Sequence, residues 1–96
     1  MPQEGLYMCE KFESNEAGFR KWLKENQEGY IINSDKQRSD PQYPKLHRAS
    51  CKSLSSWDNY TTNGYYKICA NDKQALERHI KDKDGRTLTY CGLCNP

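Results

Sequence analysis

Two short chelating pairs set the terms on which this chain can fold. His47-Arg48-Ala49-Ser50-Cys51 puts an imidazole and a thiol four residues apart, and Cys91-Gly92-Leu93-Cys94 puts two thiols three apart. A CxxC turn offers two thiolates to one centre without strain, and a second soft pair far away in sequence is the usual layout of a structural zinc site. Gly92, directly after the first cysteine, suits a tight knuckle in which backbone amides face the sulfurs. A fold that uses both pairs must bring residues 47–51 and 91–94 to one point. That ties the C-terminal segment, where fraying concentrates, to the middle of the domain.

The ligand set expected from spacing is His47, Cys51, Cys91 and Cys94 around zinc. Two alternatives stay open: Cys69 in place of His47, or no metal and free thiols. Cys69 falls between Ile68 and Ala70 in an alternating stretch and reads as a core thiol, since free cysteine is among the most buried residue types. Cys9 lies in a short apolar stretch with no partner at ligand spacing, and core or edge-strand filler is its reading. His79 sits among charged residues and reads as solvent-facing.

Only 34% of the 96 residues are hydrophobic, so one small domain with a lean core is expected. Seven Tyr, two Trp and two Phe recover part of the missing area, and a cross-link is attractive on stability grounds alone. Residues 1–30 hold six acidic and four basic side chains, and residues 31–96 seven and eleven. The resulting tilt allows a weak basic face and falls short of the basic stripe of a dedicated nucleic-acid binder. No apolar run approaches membrane-spanning length, and Met1-Pro2-Gln3-Glu4-Gly5 lacks the regions of a signal peptide. Five cysteines in an odd count fit a disulfide framework poorly. A reducing, cytoplasmic compartment is the expectation.

The elements expected are a strand over 6–12 and a helix over about 15–27, with Ser14 or Asn15 as cap, Phe19, Trp22 and Leu23 inward, and Gly29 as the stop. Gly18 inside that helix counts as a weakness of about 1 kcal/mol. Strands follow at 30–33 and 45–48, separated by a surface loop over 34–44. A turn at 49–51 leads to an irregular 52–63. A strand over 65–70 sets Tyr66, Ile68 and Ala70 against Tyr65, Lys67 and Cys69. A second helix over about 72–83 turns Leu76 and Ile80 inward, and a last strand runs over 86–90 and carries the CxxC. The order predicts an α+β fold, a small and mostly antiparallel sheet with two helices in a single domain.

LHRASC (46–51), YYKICANDKQAL (65–76) and LTYCGLCNP (88–96) together resemble the Ada-like zinc-binding module. The resemblance covers residues 46–96 and leaves 1–45 as a separate N-terminal portion. By that comparison His47, Cys51, Cys91, Cys94 and Pro96 match motif positions, Ala75 matches the helix alanine, and Cys69 falls where the family keeps a buried apolar residue. The founding DNA-repair module uses four cysteines, one of which accepts methyl groups; with His47 in one ligand position, that chemistry is not carried over. Residues 1–45 look like the front half of small bacterial proteins that share the GYIIN–LHRASC–CGLCNP order, from which no activity carries over.

A non-catalytic, zinc-stabilised binding module is therefore expected, an accessory to nucleic-acid transactions or to another protein, and a monomer. Lys45, Arg48 and Lys52 flank the proposed site, and Tyr43, Trp57 and Tyr60 are flat enough to stack on bases. The plainer account of the same residues is a solvated basic face and aromatics needed by a lean core. A metal-free protein–protein adaptor is the alternative, with loop 34–44 or the Trp57 segment as its surface. An enzyme is disfavoured. A thioredoxin-type CxxC needs its first cysteine at a helix N-terminus, and only Asn95-Pro96 follow this pair. No HExxH or deaminase pattern is present, and a His47–Cys51 nucleophile pair would leave the CxxC unexplained.

Overall fold

The computed structural model describes residues 9–52, 61 and 64–96. Its strands are β1 (Glu10–Phe12), β2 (Tyr30–Asp35), β3 (Lys45–Arg48), β4 (Tyr65–Ala70) and β5 (Thr89–Tyr90). They form one sheet in the order β1-β4-β2-β3-β5. Every pairing is antiparallel except that of β5 with β3. Helix α1 (Glu16–Glu25) follows β1, and α2 (Lys73–His79) follows β4. The α+β architecture with a mostly antiparallel sheet and two helices is what the sequence predicts. Among the described residues, no helix is long and apolar enough to cross a membrane.

The two helices lie on opposite faces of the sheet, and the side-chain period of two explains why the central strands are apolar on both sides. In β2, Ile31 joins Phe12, Cys69 and the α1 residues Phe19 and Trp22 in one cluster. Its neighbour Ile32 joins Leu46, Ile68 and Ala70 in another, under Ala75, Leu76 and Ile80. The two clusters split a lean apolar content into thin layers. Phe12 and Phe19 meet edge-on, with ring centroids 5.9 Å apart.

Local chemistry sets the helix limits. Asn15 caps α1 by accepting from Gly18 N–H at 2.9 Å. Gly18 is less a weakness than a fit: a Cβ there would lie 2.5 Å from Asn15 Nδ2. Helix α1 ends at Asn26, whose side chain donates to the Trp22 carbonyl at 2.8 Å, three residues before Gly29. Gly29 serves close packing instead, since a Cβ would sit 2.8 Å from both Trp22 Cη2 and Asn71 Oδ1. Asp72 caps α2 by accepting from Gln74 N–H. The helix then widens into a π-type turn, Ile80–Asp84, closed by Gly85 at φ 84° donating to Ile80 O.

The sequence-based boundaries need three corrections. Strand β2 continues through Ser34 and Asp35, so the loop placed at 34–44 begins two residues later. These polar residues are buried because Arg86 reaches them: Nη1 pairs with Asp35 Oδ1 at 2.7 Å and Nη2 donates to Ser34 Oγ at 2.8 Å. The same recruitment takes Arg86 out of the last strand, leaving only Thr89 and Tyr90 in β5. The first strand covers Glu10–Phe12 of the expected 6–12, residues 6–8 lying outside the described ones. Most of 52–63, read as irregular, lies outside them too.

Candidate metal centre

Strands β3 and β5 run parallel, so both deliver the chain to the same end of the sheet. Cys91 N–H donates to Leu46 O at 2.9 Å and carries the pairing one residue past β5. On β3, His47 stands opposite Ile31 of β2, which in turn stands opposite Cys69 of β4. His47 therefore projects from the α1 side of the sheet. The turn after β3 then bends back, with Ala49 N–H donating to Gly29 O and Cys51 N–H to Arg48 O. Cys51 and Cys91 enter the same buried cluster as Phe19 and Ile31, with Cys94 packed at its margin.

The ligand atoms of His47, Cys51, Cys91 and Cys94 all lie within 4.8 Å of one another. The Cys51 and Cys91 sulfurs are 3.8 Å apart. That is the edge of a tetrahedron built on metal–sulfur bonds of about 2.3 Å. His47 is 5% exposed, and its Nδ1 is buried with no hydrogen-bond partner among the described residues. An orphaned ring nitrogen is costly in a dry setting and is satisfied by a cation. Burial drives the His47 imidazole down to about 4, helped by Lys45 and Lys67, so its neutral, ligating form persists into mild acid.

The thiols influence one another's ionisation. Burial works to raise the Cys91 thiol, but N–H groups of Cys94 and Leu93 and the neighbouring thiols outweigh it, leaving it below the usual thiol range. Burial also raises Cys94, to about 12, against a lowering N–H from Arg48. One sulfur ionises at the other's expense, as expected of two close thiols, and a divalent cation bound between them would favour the thiolate form of both. The knuckle is closed by Asn95, in the left-handed region at φ 48°, whose N–H returns to Cys91 O at 3.1 Å.

Cys69 is fully buried on the sheet face and outside this group of four. Cys9 is half-buried, its Sγ 3.7 Å from Ala75 O. His79 is half-buried rather than solvent-facing, because it lies in the last turn of α2 beside the buried Ile80.

The flanking cations are engaged within the chain. Lys45 Nζ donates to Gln42 Oε1 at 3.1 Å. Arg48 donates from Nε to Cys94 O and from Nη2 to Asn95 O, both at 2.8 Å. Lys52 is exposed, and Trp57 and Tyr60 lie outside the described residues. Tyr43 packs edge-on against Tyr65, ring centroids 5.6 Å apart.

Sequence reasoning missed the fully buried Lys67, which donates to Asn33 Oδ1 at 2.9 Å. The signal was present: alternation sets Lys67 on the face of Cys69. Comparison with known proteins adds no relationship to this geometry: no family model matches the chain, and no curated protein or solved structure matches it either.

Proposed function

We propose that His47, Cys51, Cys91 and Cys94 hold one structural zinc ion and that the chain works as a small non-catalytic binding module organised by it. The observation that carries this reading is the convergence of four soft ligand atoms within 4.8 Å, from two segments far apart in sequence. Three thiols and an imidazole favour zinc over magnesium or calcium, which take oxygen ligands. Four protein ligands complete a tetrahedron and leave no position for a substrate, which is the pattern of a structural rather than a catalytic ion.

Native mass spectrometry of the purified chain, with and without chelator, tests the reading. One zinc per chain is expected, and its removal should broaden or abolish cooperative unfolding, since structural zinc contributes on the order of 10–16 kcal/mol. Protein that carries no metal and melts as sharply after chelation overturns it. His47→Ala should lose the ion and Cys69→Ser should keep it, which separates the two candidate fourth ligands.

A further inference from the structure

The sheet face that bears His47 also bears a buried cation the metal centre does not use. Lys67 has no exposed surface, and its Nζ lies 5.9 Å from the centre of the Phe19 ring. Burying an amine carries a desolvation cost that apolar packing does not return, and here Asn33, which lines a cavity, answers part of it. Burial pulls Lys67 down to about 8. Asn33 of β2 stands opposite Lys45 on one side and Lys67 on the other, so the three share a face.

An ammonium can only donate. Asn33 therefore gives its side-chain oxygen to Lys67 and has its NH2 group left to offer elsewhere. Asn33 forms part of the wall of a cavity of about 380 Å³ that also meets Tyr43, Lys45, His47, Cys91 and Leu93. Lys45 spends one N–H on Gln42 and retains two. His47 needs one ring nitrogen for a metal and has the second to spare. Among the described residues the wall thus carries several donors and no carboxylate, with an apolar side made by Leu93, 77% exposed, and the Tyr43 ring.

We propose that this cavity binds a small oxyanion, a carboxylate or a phosphate ester, carried on a flat apolar group. The oxygens take the Asn33 amide and the Lys45 ammonium, and the apolar group lies against Leu93 and Tyr43. Three thiolates around a divalent ion leave one net negative charge, which Lys45, Lys67 and Arg48 together offset. The proposal deepens the zinc-module reading by giving it a ligand class, and it rests on that reading only for the fixed His47 ring.

The test is an NMR titration of the metal-loaded full chain with benzoate, phenyl phosphate and, as the neutral control, benzyl alcohol. Saturable shifts of the Asn33 side-chain amide and the Leu93 methyls are expected with one or both anions and not with the alcohol; the stronger anion identifies the source of the oxyanion. Lys45→Gln, a half-exposed site whose change leaves the core intact, should weaken the anion about tenfold or more, as loss of a charged hydrogen bond does. No saturable shift with either anion, an equal response to the alcohol, or affinity unchanged in Lys45→Gln overturns the proposal. Metal content measured on the same sample separates the two readings: anion binding by a chain that holds no metal refutes the zinc centre alone, and a loaded chain without shifts refutes the cavity alone.

Discussion

Arg48 holds Cys94 twice: its backbone N–H points at Cys94 Sγ from 3.2 Å, and its guanidinium Nε donates to the Cys94 carbonyl at 2.8 Å. The residue lies inside the first ligand pair and fixes the second, so it couples the two halves of the site. Partners of this kind around a metal typically alter its affinity 10–100-fold. Arg48→Ala is expected to weaken metal binding by about that factor, with secondary structure unchanged. Arg48→Lys should recover little, because an ammonium cannot span the carbonyls of Cys94 and Asn95 as a planar fork does. Competition against a chromophoric chelator measures both, and equal affinity in all three proteins would remove Arg48 from the site.

Lys67 should leave a signature in alkaline stability. With its folded value down at about 8 against an ordinary 10.5, the unfolded chain binds more protons between those limits. Stability therefore rises with pH across that window, on the order of 1 kcal/mol per pH unit, and the full burden of the buried charge is present below it. Lys67→Met should lack the rise. Denaturant midpoints of the two proteins from pH 7.5 to 10 give the comparison, and parallel curves would show that Lys67 titrates normally.

The Arg86 network makes stability rise with pH as well, but at the acid end. The Arg86 guanidinium beside Asp84 holds that carboxyl below its ordinary value. Burial works to raise Asp35, but Arg86 and the N–H groups of Asp40, Asp35 and Ser39 outweigh it and leave it lowered. The stability these pairs contribute is present above the unfolded carboxylate range and is lost as pH falls through the folded values. Arg86→Ala leaves the buried Asp35 carboxylate without its cation and Asp84 with Arg38, and should cost about 3 kcal/mol at pH 7, a difference that shrinks as pH falls through the folded carboxylate values. A loss under about 0.5 kcal/mol by urea denaturation contradicts this account.

Two glycines in similar contexts should respond differently. Gly29→Ala forces backbone and ring atoms apart, Ala70 O at 3.1 Å and Trp22 Cη2 at 2.8 Å, and should destabilise by about 1–3 kcal/mol. Gly18→Ala meets only the tip of Asn15, so a gain of about 1 kcal/mol in helix propensity is set against a weakened cap of similar worth. Thermal melts should put Gly18→Ala near neutral and Gly29→Ala well below the parent.

Periodicity made much of this fold legible. Phe19 and Trp22 announce α1, alternation over 65–70 announces β4, and ligand spacing picks out the four residues that the sheet brings together. The departures trace to side-chain partners that periodicity does not name, distant in sequence for Ser34, Asp35 and Lys67 and three residues away for Gly18. Ser34 and Asp35 look like loop residues until Arg86, more than 50 positions away, arrives to satisfy them. Lys67 looks like an ordinary strand lysine until Asn33 faces it across β2 and β4. Gly18 looks like a flaw until the Asn15 side chain takes the space.

The parallel junction of β3 with β5 carries a kinetic consequence. Antiparallel β4, β2 and β3 can pair early, but β5 must then close the segment between Ala70 and Thr89, roughly 20 residues, at an entropic cost of about 3 kcal/mol. Two paired residues repay little of that. The edge strand should therefore dock last and detach first, and a metal bound at the proposed centre would act as its latch. Amide exchange at Thr89 and Cys91 would then report metal occupancy, while exchange at Ile31 and Ile68 reports global unfolding.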